Sequence, residues 1–333
     1  MTSWLVVFVL AAAVVAWAGT RVAHAGDELA ERAGLSRLFV GTLLVAMATS
    51  LPEVVTDVAA AVGDAPDLAV GDLYGSSMAN MAILAVIDLV RRRQVWPVVQ
   101  IGHARVASIA IALTALATLG TLAPSGLSVA WISVDTLVIG VAYLAAVAWW
   151  RRSPVGRSEG TGLLPQPTGW SGPDEPAVRP VVVRFVAAAA VILLAGPVLA
   201  RAGEELAAAT GIGLTFIGSA LVATTTSLPE LVASIAAVRI GAHDLAVGNL
   251  FGSNAFNMFA LLVVDVAYTD GPVLAVVDPA QVVAGIGAIL LMALAVSAIV
   301  HGTGTHVRRL EPDSLLLLAV YAAALALVWR ASS

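Results

Sequence analysis

The chain has 333 residues, 59% of them hydrophobic and only 12% charged. A soluble domain carries about 25% charged residues, so the composition excludes an ordinary water-soluble globule and makes the bilayer the expected solvent. The chain has no cysteine, which removes disulfides, thiolate metal sites and cysteine nucleophiles; the net charge of −5 says little, because charge in a membrane protein is read loop by loop.

Apolar runs near or beyond the roughly 20 residues that cross a bilayer predict ten spans. They lie at 3–20, 38–62, 67–90, 105–122, 127–149, 181–200, 212–238, 244–267, 280–300 and 314–329. The first begins Met-Thr-Ser-Trp, with no basic flank and no clear small-residue cleavage site, and reads as a retained helix rather than a signal peptide. The second holds Ser50-Leu51-Pro52-Glu53, and the third holds Asp72, Ser76 and Asn80. The stretch 151–180 is rich in Pro, Gly, Ser and Arg and reads as a linker. It separates a first half, 1–150, from a second, 181–333. In that second half, the seventh span holds Ser227-Leu228-Pro229-Glu230 and the eighth holds Asn249, Ser253 and Asn257.

All seventeen basic residues are arginine. Fifteen fall in one alternating set of loops, including 91–93 and the linker, and only Arg201 and Arg330 fall in the other. By the positive-inside rule the first set is cytoplasmic. With an even number of spans, both termini are then extracellular and the linker is cytoplasmic.

The sequence repeats at an offset of 177, the separation of Glu53 and Glu230. Thr49-Ser50-Leu51-Pro52-Glu53 matches Thr226-Ser227-Leu228-Pro229-Glu230 at every position, Leu68-Ala69-Val70-Gly71 matches Leu245-Ala246-Val247-Gly248, and Asn80-Met81 matches Asn257-Met258. Five spans per half force the second half to enter from the opposite face, so the expected fold is an all-α integral membrane protein of ten helices in two inverted five-helix repeats. Transporters of that kind bind cargo near the midplane between the repeats. Duplication kept for packing alone would preserve apolar and small residues, whereas these repeats share their polar ones.

Proline has no N–H and clashes with the preceding turn, and Ser-x-x-Glu has the form of a capping box. A helix broken at Ser-Leu-Pro-Glu is therefore expected in both halves, with free carbonyls around Ala46 to Ser50 and Ala223 to Ser227. Capping explains the spacing of Glu53 and Glu230 but not their location, because an ionisable group at mid-span costs about 3 kcal/mol even on lenient scales. Asp72, Ser76 and Asn80, like Asn249, Ser253 and Asn257, recur every four residues and so share a helix face. Hydrogen-bonded helix packing is the plainer account of such a stripe; beside the glutamates it reads as a set of cation ligands. Carboxylate, hydroxyl, amide and carbonyl oxygens suit hard cations such as calcium or sodium. Gly71, Gly75, Gly248 and Gly252 are expected to let backbones approach closely. Asp57, whose repeat mate is Ser234, is a weaker candidate. Asp88 and Asp265 read as interfacial, Asp135 as facing a loop, and His24, His103, His301 and His306 as loop residues. No His-Glu-x-x-His pattern supports a zinc protease.

These residues resemble the cation/calcium exchanger superfamily, in particular prokaryotic sodium/calcium antiporters. The family's first motif, of the G-T-S-x-P-E type, stands here as Ala48-Thr49-Ser50-Leu51-Pro52-Glu53 and Thr225-Thr226-Ser227-Leu228-Pro229-Glu230. The second, of the G-N-x-x-G-S-N-x-x-N type, stands as Gly71-Asp72-Leu73-Tyr74-Gly75-Ser76-Ser77-Met78-Ala79-Asn80 and Gly248-Asn249-Leu250-Phe251-Gly252-Ser253-Asn254-Ala255-Phe256-Asn257. The resemblance implies that Glu53 and Glu230 are central calcium ligands. It further implies that Thr49, Thr226, Ser76, Ser253 and the carbonyls of Ala46 and Ala223 serve sodium or calcium, and that Asn80 and Asn257 occupy mid-site positions. Asp72 and Ser77 depart from the pattern, each replacing an asparagine.

The function expected is secondary active exchange of calcium for sodium by alternating access, in a cell inner or plasma membrane. Proton-coupled exchange is the alternative. No cofactor and no nucleic acid is expected, and the chain is expected to work as a monomer. An enzyme would need a nucleophile constellation or cofactor motif that the sequence lacks, and a channel would not need two symmetric helix breaks.

Overall fold

The computed structural model describes residues 2–90, 102–152, 178–209, 223–301 and 312–332. The first half contains α1 (Thr2–Arg32), α2 (Arg37–Val62), α3 (Pro66–Val90), α4 (Gly102–Leu122), a hairpin of β1 (Ser128–Val129) and β2 (Ile132–Ser133), and α5 (Val134–Arg152). The second contains α6 (Val178–Ala209), α7 (Leu228–Arg239), α8 (His243–Ala267), the short α9 (Val273–Val276), α10 (Gln281–His301) and α11 (Pro312–Ser332). Among the described residues eight helices are long and apolar enough to cross a membrane: α1, α2, α3, α4, α6, α8, α10 and α11. The protein is a multi-span helical membrane protein.

Several boundaries differ from the sequence reading. α1 continues to Arg32 rather than ending near 20, because Thr20 to Arg32 keeps an apolar face of Val22, Ala23, Leu29 and Ala30 that is buried. The fifth helix starts at Val134, not 127, since the residues before it pair as the β1–β2 hairpin. This hairpin is the one departure from an all-helical fold among the described residues. The seventh span, 212–238, lies partly outside the described residues, as does the linker: α5 runs through Arg152 and α6 starts at Val178, and 153–177 fall outside them.

The turns that close the helices carry the repeat. After α2, Asp64 has φ +60° and Ala65 N–H donates to the Ala60 carbonyl at 2.9 Å. After α7 the matched residue Gly241 has φ +83° and Ala242 N–H donates to Ala237 at 2.9 Å. Both are left-handed helix terminators; aspartate is among the few side chains that tolerate that region.

α3 and α8 form the centre, with α8 72% buried along its apolar window against 17% for the peripheral α11. α1 packs along α6 and against α7, α2 against α6 and α8, and α3 against α8, α10 and α11. The outward faces carry exposed Leu5, Val9, Leu10 and Trp17 on α1 and Leu315, Leu316 and Leu327 on α11, as helices facing hydrocarbon require.

Candidate cation site

α2 does not break at Ser50. It runs helically through Pro52, and its irregularity lies earlier, in a π-helical segment at Val40–Val45. There Ala46 N–H donates to Gly41 as well as Leu43, the longer bond of a π turn. The second half differs: a helical turn at 223–226 is interrupted at Ser227, and α7 restarts at Leu228 with Pro229 in its first turn. The capping boxes do not form, since Ser227 makes no side-chain cap bond to its own helix.

The serines instead reach across. Ser50 Oγ donates to Glu230 Oε1 at 2.9 Å, and Ser227 Oγ donates to Glu53 Oε1 at 3.1 Å. The threonines beside them cross in the same way: Thr49 Oγ1 lies 3.2 Å from Asn249 Oδ1, and Thr226 Oγ1 3.3 Å from Asp72 Oδ1. Each also sits on a carbonyl of its own turn, Thr49 on Ala46 at 3.2 Å and Thr226 on Ala223 at 3.1 Å. On α3 and α8, Asn257 Nδ2 donates to Ser76 Oγ at 3.0 Å, and Asn80 Nδ2 to Asn254 Oδ1 at 2.9 Å. Every predicted polar residue, Glu53, Glu230, Thr49, Thr226, Ser50, Ser227, Ser76, Ser253, Asn80, Asn257, Asp72 and Asn249, is buried, and both glutamates are 0% exposed. Ala46 and Ala223 are buried beside them.

This polar cluster is over-supplied with acceptors. Glu53 Oε2, Glu230 Oε2, Asp72 Oδ2, Asn80 Oδ1, Asn257 Oδ1 and Ser253 Oγ are buried without a hydrogen-bond partner among the described residues. A buried acceptor left unmatched costs about 1–3 kcal/mol, and a cation supplies what such oxygens lack. Among the described residues no three His, Asp or Glu side chains converge tightly enough to make a metal cluster by themselves. Any cation here is therefore shared between carboxylates and neutral oxygens, the ligand set of hard ions.

The glycines bring the backbones into register around it. A Cβ on Gly252 would run into the Thr42 carbonyl, and one on Gly248 would lie 2.9 Å from the Leu38 carbonyl. α8 thus packs directly on the π segment of α2. Gly75 faces Ala223 in the other half, at 3.2 Å from its side chain.

Three acidic residues, Asp57, Asp88 and Asp265, and three histidines, His24, His103 and His301, are placed differently from their sequence reading. Asp57 is buried. Asp265, read as interfacial, is buried and accepts from Ser133 N–H at 2.7 Å, Thr136 Oγ1 at 2.5 Å and Val273 N–H at 2.7 Å. Its mate Asp88 is also buried and accepts from Ser314 Oγ at 2.7 Å. Each thus ties the end of a central helix to the start of a peripheral one from the other half, α8 to α5 and α3 to α11. Asp135 does serve its loop, accepting from Ser125 N–H at 3.0 Å. His103 is not a loop residue: it is buried at the start of α4, with Nε2 3.0 Å from Asp244 Oδ1 on α8. His24 sits within α1 and His301 ends α10, while His306 lies outside the described residues. Sequence reasoning passed over Asn254, which bridges Asn80 to the Ser77 carbonyl at 3.1 Å, and Ser234, which holds Asn249 at 3.0 Å. Asn254 was detectable as the repeat mate of Ser77; Ser234 carried no signal.

Known proteins resemble this chain in sequence and in fold. The family model described as sodium/calcium exchanger protein matches residues 3–150 and 180–330. CaxA of Alkalimonas amylolytica is 30% identical over 299 residues, 86% of this chain and 89% of its own length. The inner membrane protein YrbG of Escherichia coli is 29% identical over 264 residues, 78% of each chain. A solved structure of the sodium-calcium exchanger NCX_Mj superposes with a TM-score of 0.73 at 21% identity, covering 98% of this chain and 99% of the other, a likeness of fold. With both halves matched by the family model, this chain belongs to the sodium/calcium exchanger protein family of transmembrane antiporters.

Proposed function

We propose that the chain is a secondary antiporter that exchanges calcium for sodium by alternating access, binding the cation near the midplane between two inverted repeats. The observation that carries this reading is the crossed pair Ser50–Glu230 and Ser227–Glu53, which leaves one free carboxylate oxygen on each glutamate in the same buried cluster. Two carboxylates balance one divalent ion or two monovalent ones, so one pocket can carry either load in turn. Glu53, Glu230, Thr49, Thr226, Ser50, Ser227, Ser76, Ser253, Asn80, Asn257, Asp72, Asn249 and the carbonyls of Ala46 and Ala223 are the proposed ligands. Because each half contributes matched groups to the other's glutamate, a rocking of the halves would change access to the site while leaving the site composed of the same residues. The arginine distribution supports cytoplasmic placement of the linker and extracellular termini.

The test is radioactive calcium uptake into proteoliposomes under imposed gradients. Uptake driven by an outward sodium gradient, and stimulated by it alone, is the expected result. Uptake driven by a proton gradient and indifferent to sodium would replace the coupling ion with the proton. Calcium movement that needs no counter-ion would overturn antiport.

A further inference from the structure

Around the site the two halves differ in charge at one pair of positions. In the second half Asn249 Nδ2 donates to Ser234 Oγ at 3.0 Å and to the Glu230 carbonyl at 3.4 Å, so that both side chains of the pair are neutral. The residues 177 positions earlier are Asp72 and Asp57, neighbours like their mates, which meet at 3.0 Å. Both are 1% exposed. Thr226 donates to Asp72 Oδ1 at 3.3 Å, yet Asp72 Oδ2 and Asp57 Oδ2 are buried with no hydrogen-bond partner among the described residues. The charged neighbours offer no relief, since Glu53, Glu204 and Glu230 are acidic too. Ionised carboxylates only accept, so the pair lacks whatever joins its two free oxygens.

We propose that Asp57, sharing Asp72 and the Thr226 hydroxyl with the central ligand set, forms a second site for a hard divalent cation on the flank of the central one. Two carboxylates match one divalent charge, and a cation between them replaces the donor that the neutral Asn249–Ser234 pair supplies within itself. The pair lies toward the 63–65 turn joining α2 to α3, the side that the arginine distribution makes extracellular. The flank of the central site on that side would then hold a cation, while the corresponding flank in the other half is neutral. Two carboxylates are few for calcium, and the site is expected to be weak, with Kd of about 10⁻⁴–10⁻³ M. The inference rests on the central site being a cation site, and the test separates the two.

The experiment is equilibrium binding of radioactive calcium to the full purified chain in detergent. Glu53→Gln with Glu230→Gln silences the central site. Adding Asp57→Ser, at a position outside the central ligand set, installs the residue that the other half already carries there, Ser234. The expected result is that the double glutamine variant keeps a weak calcium site and the triple variant loses it, binding one ion fewer per chain. Equal binding by the two variants would overturn the second site and leave the carboxyl pair to share a proton. If the glutamine substitutions remove no calcium from the parent, the central reading fails, whatever the aspartates do. Should the triple variant not remain monodisperse, Asp57→Asn in the double glutamine background is nearly isosteric and must still weaken binding by about tenfold or more, the equivalent of about 1.4 kcal/mol; unchanged affinity there rejects the proposal.

Discussion

Ser50 hydrogen-bonds the carboxylate of Glu230 in the opposite half at 2.9 Å, although Glu53 lies only three residues away in its own helix. The pairing is therefore a property of how the halves meet. Hydrogen bonds to charged groups contribute about 1.5–3 kcal/mol, and residues sharing one couple non-additively. Ser50→Ala and Glu230→Gln are expected to show a larger coupling energy in thermal stability than Ser50→Ala and Glu53→Gln. A double-mutant cycle in detergent checks this. Equal coupling for the two pairs would restore the local capping box.

Glu53→Gln and Glu230→Gln are each expected to abolish calcium exchange while leaving the chain folded. Glutamine keeps the shape and the Oε1 acceptor but removes the charge that a divalent ion needs. Losing one charged partner of a buried pair costs about 3–5 kcal/mol, at least about a hundredfold in cation affinity. The measurement is uptake at equal reconstituted protein. Near-normal uptake by either variant would reduce that glutamate to a structural role.

Gly252→Val is expected to destabilise the protein by about 1–3 kcal/mol, the usual range for overpacking. Its Cβ would meet the Thr42 carbonyl, which is backbone and cannot swing aside. Gly34→Ala is the comparison: no neighbour lies within reach of a Cβ there, but φ is +64°, so the strain is conformational and small. Thermal unfolding of the two variants in one detergent gives the order, and a smaller loss at Gly252 would contradict direct backbone packing of α8 on α2.

Asp265→Ala is expected to cost more than Asp265→Asn. The alanine leaves two backbone N–H groups and one hydroxyl without their acceptor, while the asparagine keeps an oxygen that accepts. With about 1–3 kcal/mol for each buried donor stranded, the difference should register as a clear gap in unfolding temperature. Equal losses would mean that the hairpin and α9 find other partners.

Single cysteines placed in the chain, which has none of its own, test orientation. A cysteine in 151–180 is expected to be protected from an impermeant thiol reagent added to intact cells, and one in the 123–127 loop to react. The reverse pattern would invert the orientation drawn from the arginines.

The sequence by itself determined the solvent, the presence of many long apolar runs and the polar residues that recur in both halves. These follow from local composition: a bilayer demands apolar length, and a duplicated motif announces itself by identity at a fixed offset. Ser50, Thr49, Asp72 and their mates were legible for that reason. The partner of each residue was not. Ser50 and Glu53 fit a capping box by spacing, and only the meeting of α2 with α7 and α8 sends each serine to the other half's glutamate. Pro52 reads as a break, yet α2 stays helical through it and carries its irregularity in the π segment at 40–45, against which Gly248 and Gly252 pack. Asp57 looked incidental because its mate is serine, and its meaning depends on Asp72 lying beside it in space. Residue type and spacing thus fix which groups must be buried, but a hydrogen bond is directional and is settled only when the helices that carry donor and acceptor are packed together.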